Sequence, residues 1–156
     1  MYKTAKGWLT APEREALFAA AYGGNNILNI GIEYGASLHC FQEGNPNAKI
    51  VAVDLIGDEK FEGDRRNIIF LKGDSTQLET GSHTFEVTFI DGGHDYETVK
   101  KDIEHFAPIT TVLLMFHDYS DADIHAGVKK ALDEWHSNEW KKVDQIDTIA
   151  IYRRIK

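Results

Sequence analysis

Apolar positions along the chain follow two spacings: short runs that suit buried strands, and a three-to-four-residue period that suits helices. Thr10-Ala11-Pro12-Glu13 has the spacing of a capping box, with Pro12 in the first turn, where its missing N–H is tolerated. This predicts a helix running to about Tyr22, stopped by Gly23-Gly24-Asn25-Asn26. Residues 27–32 read as a first strand. Leu38 and Phe41, after Gly35, predict a short helix that Gly44-Asn45-Pro46 ends. Residues 50–55 form the second predicted strand, nearly all apolar and rich in β-branched residues, as a strand covered on both faces requires. Residues 67–71, 86–91 and 111–116 read as strands three to five. Tyr96, Val99, Ile103 and Phe106 share one helical face. The next helix is predicted to turn Ile124, Val128, Ala131, Leu132 and Trp135 inward. Residues 142–146 and 148–152 predict a closing hairpin.

Alternating strands and helices imply right-handed crossovers and an α/β fold, a Rossmann-like open sheet that is mostly parallel, with a C-terminal antiparallel hairpin. Residues 57–66 and 76–84 are too short and polar for full crossover helices, so the crossovers there are expected to be reduced. With no internal repeat and no Pro/Ser-rich linker, residues 1–156 are read as a single domain, residues 1–26 being its N-terminal helical segment.

In an open α/β sheet, ligands bind beyond the carboxyl ends of the strands, so the residues that follow each strand carry the functional reading. Strand one leads into Gly31-Ile32-Glu33-Tyr34-Gly35-Ala36-Ser37. A dinucleotide fingerprint would place its second glycine at position 33, and Glu33 would repel a pyrophosphate there. A positively charged sulfonium suits the acidic turn better. Strand two ends at Asp54-Leu55, with Asp54 roughly twenty positions past the turn, where an acidic residue commonly accepts from a ribose diol. Gly73-Asp74-Ser75 follows strand three. Asp74 there either accepts from an adenine amino group or serves a local turn. Strands four and five end in Asp91-Gly92-Gly93-His94 and His117-Asp118. Asp91, His94, His117 and Asp118 are expected to face one small volume, a donor set suited to a divalent metal that keeps water positions open.

The formal net charge of −8 argues against a broad nucleic-acid surface and leaves room for a small molecule held in a pocket. Cys40 is the only cysteine, so no intrachain disulfide can form, which suits a reducing cytosol. It lies between Leu38 and Phe41 with no basic neighbour in sequence, and reads as a buried structural thiol rather than a nucleophile. With no signal-peptide pattern and no membrane-spanning run, the expected setting is cytoplasmic, without a membrane partner. The sequence leaves the oligomeric state open. Tyr2 and Trp8 either cover the site or pack on a partner.

Residues 89–99 (Phe89-Ile90-Asp91-Gly92-Gly93-His94-Asp95-Tyr96-Glu97-Thr98-Val99) with Asp102, then Phe116-His117-Asp118-Tyr119 and Gly127-Val128-Lys129-Lys130-Ala131, resemble the class I S-adenosylmethionine-dependent methyltransferases of the methyltransferase 24 family. That family is similar to metal-dependent sugar O-methyltransferases. The resemblance covers about residues 28–152. It implies that Gly31, Gly35 and Ser37 line the methionine end of S-adenosylmethionine, that Asp54 holds the ribose and that Asp74 holds the adenine. Glu33, Leu55 and Ser75 complete the expected cofactor set. It further implies that Asp91, His117 and Asp118 bind magnesium or another divalent metal, and that His94, paired with Asp91, acts as the catalytic base. Three positions depart from the family pattern. Asn29 replaces an acidic residue, His117 a frequent carboxylate, and Ile109-Thr110-Thr111 a glycine pair.

The expected function is therefore methyl transfer to the oxygen of a small hydroxylated acceptor, such as a sugar. The rivals are a non-catalytic module that binds adenosylmethionine or a nucleoside, and a nicotinamide-dependent oxidoreductase, against which Glu33 argues.

Overall fold

The computed structural model describes residues 2–156. Its elements run α1 (Ala11–Ala21), β1 (Asn26–Ile30), α2 (Ala36–Gly44), β2 (Lys49–Asp54), β3 (Ile68–Lys72), β4 (Phe85–Ile90), α3 (Tyr96–Phe106), β5 (Thr110–Phe116), α4 (Ala126–Glu134), β6 (Trp140–Ile146) and β7 (Ile149–Arg154). The capping box forms: Thr10 accepts from the Glu13 amide, and the Glu13 carboxylate accepts from the Thr10 amide. Each predicted strand and helix has a counterpart, with ends shifted by one or two residues. β1 stops at Ile30 rather than residue 32, because Gly31 takes φ 85° and leaves the extended region.

Seven strands form one sheet in the order β3-β2-β1-β4-β5-β7-β6. β3, β2, β1, β4 and β5 pair in parallel, while β7 runs antiparallel to both β5 and β6. The strand order reverses between β1 and β4, the switch point at which doubly wound sheets bind ligands. α1 and α2 cover one face around Leu17, Leu38, Phe41 and Phe89. α3 and α4 cover the other around Val99, Phe106, Phe116 and Leu132. Among the described residues no α-helix lies between β2 and β3 or between β3 and β4; the second gap holds only a single 3-10 turn, Ser75–Gln77. The reduced crossovers leave Ile69 of β3 59% exposed.

One inward-facing expectation fails. Ile124 is 76% exposed, because Asp123–His125 is a 3-10 turn and α4 starts only at Ala126. Trp135 caps the end of α4, half-buried against Phe116 and Tyr152. Cys40 is fully buried, its thiol donates to the Ala36 carbonyl, and burial pushes its pKa up to about 12, as a structural thiol requires.

Candidate functional site

The parallel ladder itself aligns the strand exits. Ile30 pairs with Val53 and with Ile90, and Ile90 with Phe116. The ladder continues one residue further: the Gly31 amide donates to Val53, Asp91 to Ile30 and His117 to Ile90. Gly31, Asp91 and His117 thus leave the sheet side by side. A side chain on Gly31 would collide with the Asp91 carbonyl, so only glycine lets these two exits pass so closely. Glu33 takes φ 46°, the left-handed conformation that glycine adopts most readily, at the position of the second glycine in a dinucleotide turn. Asp54 organises this turn. One of its oxygens accepts from the Ile32 and Glu33 amides, the other from Ile56 and Gly57.

At the neighbouring exits, carboxylates and imidazoles gather. Asp118 sits at φ 61°, a strained conformation for a non-glycine residue, and is buried. Its Oδ2 lies 2.7 Å from His94 Nε2, and its Oδ1 lies 3.3 Å from His117 Nδ1 and 3.2 Å from His125 Nε2. His117 Nδ1 also lies 3.1 Å from Asp91 Oδ1, and its Nε2 lies 3.4 Å from Glu13 Oε2. Burial opposes a charge on His117, but Asp118, Asp91 and Glu13 outweigh it and push the pKa up to about 12. Burial likewise opposes ionisation of Glu13, yet hydrogen bonds from His117, Thr10 and Thr148 bring it down to about 2. Asp118 is held well below the usual carboxylate range by His117 and His94, against the effect of burial. The Asp118 hydrogen bond raises His94 above its ordinary 6.5, with burial opposing.

The first turn of α1 builds the opposite wall. Glu13 is 1% exposed and also accepts from the Thr148 amide and hydroxyl at the β6–β7 turn. The next residue, Arg14, donates to the carbonyls of Tyr2, Gly7 and Leu9, which straps residues 2–9 against the domain. Tyr2 is buried and stacks on Phe18, while Trp8 is 81% exposed and donates to Glu33. The result is one cleft of about 660 Å³ that joins the glycine turn and Asp54 to the imidazole cluster.

Gly31, Glu33, Ser37, Asp54, Asp91, His94, His117 and Asp118 all line this cleft. Four expected cofactor residues do not. Gly35 packs beneath the turn against Phe61, and Leu55 points into solvent. Asp74 accepts from Thr76 as the cap of its 3-10 turn, and the Ser75 hydroxyl donates to Asp102. Both thus take part in local structure, while Asp74 remains exposed. Trp8, read as either covering the site or packing on a partner, lines the cleft; the sequence reading missed Glu13, His125 and Ile124 as cleft residues. Glu13 had a sufficient explanation as a helix cap, and no local pattern marked the others.

The donors fit a divalent cation. Asp91, His117 and Asp118 each offer one ligand atom, and the three atoms lie within 4.8 Å of one another. The turn also fits a cationic sulfonium ligand: Glu33 borders the cleft, and the buried Asn29 Oδ1 lacks a partner while its amide group donates to the Gly31 carbonyl.

No curated protein sequence matches the chain. Among solved structures, it is similar to the O-methyltransferase from Bacillus cereus in complex with S-adenosylhomocysteine, with 15% identity, 96% of this chain and 83% of that one covered, and a TM-score of 0.65. The S-adenosylhomocysteine-bound methyltransferase PaMTH1 of Podospora anserina shares 16% identity over 96% and 80% of the two chains, with a TM-score of 0.64. The O-methyltransferase TomG of Streptomyces achromogenes, in complex with S-adenosylmethionine, shares 14% identity over 94% and 81%, with a TM-score of 0.62. These likenesses establish the fold. The family model Methyltransf_24, described as a methyltransferase domain, matches residues 28–119, which run from β1 through the Asp118 cluster. Fold, strand exits and family match agree, and the chain belongs to this family of class I, S-adenosylmethionine-dependent methyltransferases.

Proposed function

We propose that this domain transfers a methyl group to the oxygen of a small hydroxylated acceptor, such as a sugar, and that His94 is the base. One observation carries the reading: His94, its Nε2 braced at 2.7 Å by Asp118, lines the same cleft as the glycine turn and Asp54. Gly31, Glu33, Ser37 and Asp54 would hold S-adenosylmethionine. When bound, it supplies an electrophilic methyl group on a positive sulfonium. Asp91, His117 and Asp118 would hold a divalent cation, which lowers the pKa of an acceptor hydroxyl. His94 takes the hydroxyl proton on Nδ1, the ring nitrogen opposite the Nε2–H that donates to Asp118, and Asp118 stabilises the imidazolium that forms. Trp8 and Ile124, both exposed at the cleft, screen the acceptor from water. Much of the rate gain comes from positioning two reactants in one cleft.

The cleft suits a small-molecule partner. Among the described residues no helix is long and apolar enough to cross a membrane. The lone reduced thiol supports a cytoplasmic setting. The decisive experiment is calorimetry with S-adenosylhomocysteine and NAD, followed by methyl transfer to a panel of sugars and other hydroxylated acceptors. Binding of S-adenosylhomocysteine but not NAD is expected, because Glu33 occupies the pyrophosphate approach. Micromolar NAD affinity would overturn the reading. Turnover confined to amine acceptors would remove O-methylation.

A further inference from the structure

The strand ladder forces an imidazole into the middle of the cation site. His117 follows β5 in register with Asp91 after β4, and its Nδ1 lies 3.1 Å from Asp91 Oδ1 and 3.3 Å from Asp118 Oδ1. The ring is buried, its far nitrogen faces Glu13 Oε2 at 3.4 Å, and it packs against Phe89 with ring centroids 6.3 Å apart. It is therefore an imidazole fixed between two carboxylates, and a cation bound there takes the place of its Nδ1 proton. Resting on the reading of Asp91, His117 and Asp118 as a cation site, we propose that His117 Nδ1 makes this site selective for a first-row transition metal, with manganese(II) or iron(II) preferred over magnesium.

The argument is one of ligand chemistry. Magnesium is bound through a few carboxylates and keeps its remaining octahedral positions as water. Imidazole suits iron and its later neighbours, and manganese(II), the weakest binder of the first-row series, still gives up water for a nitrogen more readily than magnesium, which is smaller, harder and dehydrates reluctantly. A nitrogen in place of one oxygen therefore weakens the magnesium site and strengthens the transition-metal site at once. His94 and His125 add nitrogen around Asp118, 2.7 Å and 3.2 Å from its oxygens, and keep the surroundings unlike an all-oxygen cage.

The test uses tag-free protein of residues 1–156. Calorimetry with manganese chloride and magnesium chloride in turn should show manganese binding roughly 100-fold tighter. Pulsed electron paramagnetic resonance of the manganese complex should show modulation from one directly bound imidazole nitrogen. His117→Asp should abolish that modulation and reduce the preference for manganese to below about tenfold. His125→Gln should keep the modulation, and its loss there would remove His117 as the selecting ligand. Should His117→Asp fail to fold, the spectrum of the unmodified protein decides alone. Equal affinities, or a manganese spectrum without bound nitrogen, overturn the proposal. Failure to bind either ion overturns the cation site with it. S-Adenosylhomocysteine binding, measured on the same samples, tests the methyltransferase reading separately.

Discussion

Asp54 and Asp118 leave parallel strands on the same edge of the sheet, and the protein surrounds them in opposite ways. Asp54 is held by four backbone amides from two flanking turns. Asp118 is held by three imidazoles, one from the turn after β4, one from the preceding residue and one from the 3-10 turn before α4. Backbone amides fix geometry, but they neither titrate at working pH nor ligate a cation. Imidazoles do both. The same side chain thus organises the glycine turn at one exit and a cluster of imidazoles at the other.

The largest expected effect lies on the imidazole side. His94→Ala should lower the methyl-transfer rate by roughly 10²–10⁴-fold while leaving S-adenosylhomocysteine affinity intact. Because Asp118 raises the His94 pKa above 6.5, the neutral base accumulates only as pH rises through that raised value. The rate should climb with pH and then level off. A profile flat from about pH 5 to 9 would exclude His94 as the base.

Next comes Glu13, which supports the imidazole side from beneath. Glu13→Ala leaves His117 without one of its carboxylates and should cost about 3 kcal/mol in chemical denaturation. The folded pKa of about 2 lies below the unfolded 4.5, so this contribution is full above pH 4.5 and is lost as pH falls towards 2. Glu13→Gln should flatten the acid limb of the stability curve. An unchanged limb would mean that the carboxylate charge does not matter.

On the backbone side, Asp54→Asn retains one acceptor oxygen and should weaken S-adenosylhomocysteine binding by about 1.5–3 kcal/mol with little effect on the rate at saturation. A variant that binds normally would confine Asp54 to the turn. The smallest effect comes from a carboxylate with neither kind of support. Asp102 is buried in α3, accepts only from Ser75, and leaves Oδ2 without a partner. Burial pushes its pKa up to about 6 from 3.8, so folding loses stability as pH rises through that window. Asp102→Asn should stabilise the protein by about 1–2 kcal/mol at pH 8 and by nothing near pH 3.5, as thermal melts would show.

The backbone side was legible in the sequence because its cause is local. The turn after β1 and the acid after β2 follow from strand patterns and glycine spacing, and Asp91, His117 and Asp118 follow from strand ends that parallel register must align. The support of the imidazole side was not legible. Glu13 meets His117 across 104 residues and Thr148 across 135, and its capping-box spacing already explained it. Ile124 continued the helical period of Val128 and Leu132, but the period does not say where a helix begins; the 3-10 turn before Ala126 turns it outward. Asp74 and Ser75 had two readings of equal weight, and the structure places them in a turn that closes on itself and on α3.

Glu13 and Arg14 are consecutive residues, one bonded to the site histidine and the other to three carbonyls of the leading strap. In amide-exchange terms, these bonds predict that the strap, the start of α1 and the His117 side of the cleft open together. Fraying of the strap is therefore expected to reach the His117 cluster within a single helical turn. A segment fused ahead of Tyr2 that strains the strap would raise exchange at Thr148, on the far side of the domain sequence, as readily as at Leu9.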